Sequence, residues 1–125
     1  MSDALEWLTP DWPAPSGVRA AFAYRSGGVS AAPWNSLNLG LHVGDDAAAV
    51  GENRRRLRAA LALPAEPLWL EQVHGAGVVV VSRPRQWAGA RADAAVTSAP
   101  GAVLAVQTAD CAPVLFTAVG PGPSA

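Results

Sequence analysis

Hydrophobic and polar positions change period several times along the chain, and each change predicts an element. Val18, Ala20, Phe22 and Tyr24 alternate with Arg19, Ala21 and Ala23, which predicts a half-buried strand over residues 18–24. Before it, Pro10, Pro13 and Pro15 make residues 1–16 an irregular entry segment, with Trp7 and Trp12 placed to pack on the surface of the fold. After Asp45-Asp46, Ala47, Val50, Leu57 and Leu61 recur near helical spacing, and Pro64 ends the run. Either aspartate can cap this helix, which stabilises it by about 1 kcal/mol. Glu52 and Arg56 form an i,i+4 pair of favoured polarity, and Arg54, Arg55, Arg56 and Arg58 lie in the half where the helix dipole favours cations. Val78-Val79-Val80-Val81 is continuous β sequence of the kind covered on both faces, and residues 92–97 return to strand after a polar surface excursion over residues 83–91.

The last pattern organises the rest. Val103-Leu104-Ala105-Val106 and Val114-Leu115-Phe116 are short apolar runs that predict buried strands on either side of Gln107-Thr108-Ala109-Asp110-Cys111. A break of small polar residues between such strands puts amides, a carboxylate and a thiol at strand ends, where open α/β sheets place their sites. Residues 118–125 carry no element-forming pattern, and the chain shows no internal repeat or linker, so residues 1–125 are expected to form a single α/β domain.

Composition narrows the function. Half of the 125 residues are hydrophobic and the net charge is -1, a globular balance that offers no electrostatic case for nucleic acid or an anionic membrane surface. All nine basic residues are arginine, read as codon bias together with the abundant alanine. Without aromatic interleaving, the arginine cluster of the helix reads as a solvated face. A single cysteine excludes an internal disulfide and fits a reducing compartment. No stretch reaches the roughly 20 apolar residues of a membrane helix and the N-terminus lacks a signal pattern, so a cytoplasmic protein is expected. Oligomeric state is not legible in these features.

Candidate chemistry centres on Cys111 and the two histidines, His42 and His74. His74 stands beside Gly75 at the junction of two strand-like pieces. Thiolate and imidazole are zinc ligands, and Cys111, His74 and one further donor would meet the count of a catalytic zinc. The rival is a cysteine nucleophile served by His74, with Asp110, Asn38 or Gln72 orienting the imidazole. A buried apolar cysteine and a hydrogen-bonded core histidine form a third reading. Arg25-Ser26-Gly27-Gly28 joins a planar donor suited to phosphate or carboxylate to two residues that tolerate close ligand approach, or else makes an ordinary turn. The run from Trp34 to Asp46 is too rich in Asn, Gly and His for ordinary core and too apolar for a free loop.

Arg25-Ser26-Gly27-Gly28-Val29-Ser30, Ser36-Leu37-Asn38-Leu39-Gly40, His42-Val43-Gly44-Asp45-Asp46, Glu52-Asn53-Arg54, Gln72-Val73-His74-Gly75, Ala92-Asp93-Ala94 and Thr108-Ala109-Asp110-Cys111-Ala112-Pro113-Val114 occur in this order. The set, over about residues 18–116, resembles the N-terminal half of the YfiH family, whose members are variously labelled laccase-domain proteins, polyphenol oxidases, peptidoglycan editing factors and purine nucleoside phosphorylases.

The resemblance implies a four-layer α/β/β/α sandwich with mixed sheets, similar to the catalytic domain of cytotoxic necrotising factor. It implies one zinc, bound by His74, by Cys111 and by a histidine of a later His-Ala-Gly-Trp-Arg-Gly motif that has no counterpart here. It implies phosphorolysis of adenosine, inosine, guanosine or methylthioadenosine to base and ribose 1-phosphate, with adenosine deamination as a second activity. Zinc lowers the pKa of a bound water from about 15.7 to about 7, which suits deamination. Copper is the poorer expectation, because blue-copper sites use two His, a Cys and a weak axial ligand. Residue chemistry then assigns phosphate and substrate contacts to Arg25, Gly27, Gly28 and Asn38, and proton handling to Asp110, Gln72 and His42. Family members run to roughly twice this length, so the chain is expected to be a fragment with two of three zinc ligands and little activity alone. The alternatives are a cysteine-dependent hydrolase using Cys111 and His74, and an inactive structural or regulatory remnant.

Overall fold

The computed structural model describes residues 4–109 and 112–119. Among them the chain is a small mixed α/β structure of four short strands and one helix, grouped into two compact units, Met1–Ala60 with Val114–Ala125 and Leu61–Pro113. No helix among the described residues is long and apolar enough to cross a membrane.

The first unit contains β1 (Trp7–Leu8), β2 (Phe22–Ala23) and α1 (Ala47–Ala60). β1 and β2 are antiparallel with Leu8 opposite Phe22, and the Tyr24 amide extends the ladder to the Glu6 carbonyl at 2.9 Å. The strand expected over residues 18–24 is thus cut to its C-terminal end. The Val18 amide closes a turn on the Pro15 carbonyl at 3.0 Å, and the upstream prolines cannot donate to a longer ladder. α1 begins where its cap predicts: Asp46 Oδ1 accepts the Ala48 amide at 3.2 Å. It buries Val50, Asn53 and Leu57, one face at spacings of three and four. It ends at Ala60, short of the expected Pro64, because Ala62 turns left-handed at φ 51°. Glu52 makes the expected bond to Arg56 at 2.8 Å and a second, also 2.8 Å, to Arg55.

The second unit holds β3 (Val78–Val81) and β4 (Ala94–Thr97), parallel and in register from Val78 opposite Ala94 to Val81 opposite Thr97. Its core is Leu68, Leu70, Val81 and Ala92, with Val79, Ala90, Ala95 and Ala102 packed against it. The valine run departs from expectation here. Val79 and Val81 turn to the core while Val78 and Val80 remain 58% and 66% exposed, because a two-stranded sheet carries core on one face only. The buried strands expected around Cys111 are also corrected. Leu104 makes a single bridge to Leu68, with the Leu68 amide on the Val103 carbonyl at 2.8 Å, and Val114 and Phe116 are exposed. No described strand pairs with residues 114–116, so nothing in the ladder buries them.

Candidate functional site

His74 lies on an exposed turn of the second unit with φ 58°, a left-handed conformation that few non-glycine residues adopt. Its backbone is held from outside the turn. Asp93 Oδ1 accepts the amides of Val73 at 3.0 Å and His74 at 2.8 Å, and Asp93 Oδ2 accepts the Gly75 amide at 2.8 Å. The Gly75 amide chiefly, then those of His74 and Val73, hold the Asp93 carboxyl below the usual carboxylate range. The His74 side chain is exposed.

Gln72, two residues earlier, is fixed by a double bond to the main chain of Gln107. Its Nε2 donates to the Gln107 carbonyl at 2.9 Å and its Oε1 accepts the Gln107 amide at 2.7 Å. The side-chain amide stands in for a strand neighbour and ties the Gln72-Val73-His74-Gly75 segment to the chain that leads into Thr108-Ala109. Both of Gln72's polar atoms are occupied in this way. Asp110 and Cys111 lie outside the described residues.

In the first unit the expected substrate contacts are woven into one loop scaffold. Arg25 donates from Nε and Nη2 to the Asn35 carbonyl at 3.1 and 2.9 Å, and its own carbonyl accepts the amides of Ser36 and Leu37. Arg25, Ser26, Asn35 and Ser36 line an open recess of about 330 Å³. Gly27 has φ 97°, and a Cβ there would fall 2.3 Å from Leu5 Cα; at Gly28 it would fall 2.1 Å from the Ser36 carbonyl oxygen. Both glycines therefore permit close backbone approach within the fold itself. Asn38 Nδ2 donates to Asp45 Oδ2 at 3.1 Å and Asn38 Oδ1 accepts the Gly40 amide at 3.1 Å. The Ser30 hydroxyl chiefly, at 2.5 Å, and then Asn38 hold the Asp45 carboxyl below its ordinary value. His42 is exposed in the same loop.

Two residues have roles that spacing alone did not assign. Asn53 is fully buried. It accepts the Val29 amide at 2.8 Å and donates to Ser30 Oγ and the Asn38 carbonyl, both at 2.8 Å. Asp93 is the anchor of the His74 turn. Each interrupts an apolar pattern, Asn53 on the buried stripe of α1 and Asp93 between Ala92 and Ala94, and a polar residue set into such a stripe is the signal that could have marked them.

The sequence model of the multi-copper polyphenol oxidoreductase laccases matches residues 19–122. The chain belongs to this family, which is the YfiH family. It is 56% identical over 110 residues to a purine nucleoside phosphorylase of Pseudomonas aeruginosa, covering 88% of this chain and 43% of that protein. It is 53% identical over 109 residues to the purine nucleoside phosphorylase YfiH of Escherichia coli, covering 87% and 44%. The crystal structure of a Neisseria meningitidis protein of family DUF152 superposes with a TM-score of 0.73 at 41% identity, over 84% of this chain and 42% of that one. The structure of YlmD from Geobacillus stearothermophilus superposes with a TM-score of 0.56, also at 41% identity, over 63% and 32%. The chain thus spans less than half the length of these YfiH-family relatives.

The donor chemistry of His74 and Cys111 fits zinc, since imidazole and thiolate are its preferred ligands and the imidazole stands exposed on a braced turn. Among the described residues no group of three or more His, Cys, Asp or Glu side chains is arranged to hold a metal ion.

Proposed function

We propose that this chain contributes to a zinc-dependent purine nucleoside phosphorylase, with His74 and Cys111 as metal ligands and adenosine deamination as a second activity. The observation that carries the reading is the exposed His74 imidazole on a turn that Asp93 braces, in a segment Gln72 ties to Gln107, four residues before Cys111. Family membership and the names of the relatives support the substrate class, a purine nucleoside with inorganic phosphate. The four-layer sandwich belongs to the same proposal, as the scaffold in which such a site would be completed.

The zinc, when bound, supplies a water acidic enough to serve deamination near neutral pH. The chain's own residues supply the rest. In phosphorolysis a phosphate oxygen forms a bond to C1′ of the ribose as the bond from C1′ to the base nitrogen breaks, and the departing base takes up a proton. Arg25, beside the recess formed with Ser26, Asn35 and Ser36, is assigned the phosphate. Gly27, Gly28 and Asn38 shape that loop for substrate. Asp110 and His42 are assigned the proton transfers, because a carboxylate and an imidazole can change charge. Gln72 cannot, so its part is to hold the segment in place.

The test is phosphate-dependent release of free base and ribose 1-phosphate from adenosine or inosine by the natural protein that carries this sequence. Turnover that requires phosphate and disappears in His74→Ala and in Cys111→Ala is the expected result. Zinc-free protein whose Cys111 sulfur is acylated by an ester or amide substrate would instead establish the hydrolase reading. A folded protein with neither metal nor turnover would establish the remnant.

A further inference from the structure

We infer that Asp93 is a positioning residue for His74: its carboxylate, by accepting the amides of Val73, His74 and Gly75 together, holds the turn that presents the imidazole to a metal. The inference rests on the zinc reading above and adds to it a residue that acts through the main chain of a ligand rather than on its ring.

Three observations carry it. His74 has φ 58°, and a non-glycine residue stays in that region only where its surroundings fix it. The fixing group uses both of its oxygens, Oδ1 for Val73 and His74 and Oδ2 for Gly75, so the carboxylate cannot rotate without breaking a bond. Converging amides of this kind form an anion-binding concavity, here filled by a side chain of the same fold. Asp93 is itself immobilised. Its amide donates to the Gly77 carbonyl at 3.1 Å, Ala92 before it is core, and Ala94 after it opens β4 opposite Val78. The register of the β3–β4 sheet is thereby transmitted to the His74 backbone over one side chain.

Metal sites are usually tuned by a partner on the far nitrogen of the ligating ring, and loss of such support weakens metal binding by about 10–100-fold. Asp93 provides the equivalent from behind. Asp93→Asn is the sharpest perturbation, because it is nearly isosteric, removes the charge, and turns an N–H₂ toward at least one amide N–H that needs an acceptor.

The experiment measures zinc affinity of the natural protein by competition with a chromophoric chelator, and the absorption of the cobalt(II)-substituted protein. We expect Asp93→Asn to bind zinc about 10–100-fold more weakly than wild type, Asp93→Glu to fall between them, and the cobalt ligand-field bands to shift in both. In a His74→Ala background the same Asp93→Asn change should cost no further affinity, which a general loss of fold would not reproduce. Unchanged affinity and spectrum in Asp93→Asn overturn the inference, and so does an equal further loss in the His74→Ala background. Should Asp93→Asn not fold, the charge-retaining Asp93→Glu decides, an unshifted cobalt spectrum counting against the inference. Wild-type protein that takes up no zinc overturns the metal reading itself, an outcome distinct from zinc-loaded protein indifferent to Asp93.

Discussion

In the helix unit Asn53 reaches across 24 positions of sequence to Val29 and 15 to Asn38, and every polar atom of its side chain is spent inside the fold. In the strand unit Gln72 and Asp93 reach 35 and 20 positions, yet their bonds go to main chain on either side of His74 and leave the imidazole exposed. The difference separates two uses of polar residues that look alike in sequence. Where side chains bond to one another as well as to main chain, as around Asn53, Ser30, Asn38 and Asp45, chemistry-bearing residue types build a scaffold. Where side chains satisfy backbone next to a residue, that residue is presented. Arg25, with two nitrogens on the Asn35 carbonyl and a recess beside it, stands between these cases.

The largest loss of stability is expected at Asn53. Asn53→Ala leaves the Val29 amide and Asn38 carbonyl without their buried partner and should cost about 3 kcal/mol in urea unfolding, each orphaned group contributing about 1–3 kcal/mol. A loss under about 1 kcal/mol would mean that water replaces the amide and the loop scaffold is looser than described. Gly28→Ala comes next, at about 2 kcal/mol, because its Cβ meets backbone at the Ser36 carbonyl rather than a side chain that can yield.

His74→Gly should run the other way. Glycine accepts φ 58° without penalty, so the thermal midpoint should hold or rise, by up to about 1 kcal/mol of stability, while zinc binding is lost. Destabilisation by His74→Gly would instead make the imidazole part of the fold and bring the two units into line.

Acid sharpens the contrast further. Arg55 and Arg56 hold the Glu52 carboxyl down to about 2 from an ordinary 4.5. Its contribution to stability is therefore present in full above about pH 4.5 and is lost as pH falls through about 2. A Glu52→Gln variant should match wild type at the acid end and fall slightly below it at neutral pH in pH-dependent melting. The smallest expected change is Gly51→Ala, where nothing lies within 4 Å of the added methyl and the helix should gain about 0.5–1 kcal/mol.

Local pattern made the helix and two of the strands legible. The Asp46 cap, the apolar spacing of α1, and the valine and alanine runs of β3 and β4 all act within a few residues. The rest was set by partners far away in sequence. Phe22–Ala23 is all that remains of a longer alternating run because Trp7–Leu8 is the length of its partner strand. The outward Val78 and Val80 follow from a sheet with one covered face, which a run of four valines does not disclose. At the site, His74 and Cys111 stood out by residue type and motif, whereas the glycines that read as a phosphate loop prove also to be points of close backbone contact. Asp93, Gln72 and Asn53 acquire their meaning only through bonds that no spacing rule connects.

Cobalt(II) substitution of the natural protein tests most directly whether the braced turn presents His74 to a metal shared with Cys111. One cobalt per chain is expected, with ligand-field bands and a thiolate charge-transfer band, the thiolate band vanishing in Cys111→Ala and the ligand-field envelope changing in His74→Ala. A cobalt spectrum identical in wild type and His74→Ala would exclude His74 as a ligand.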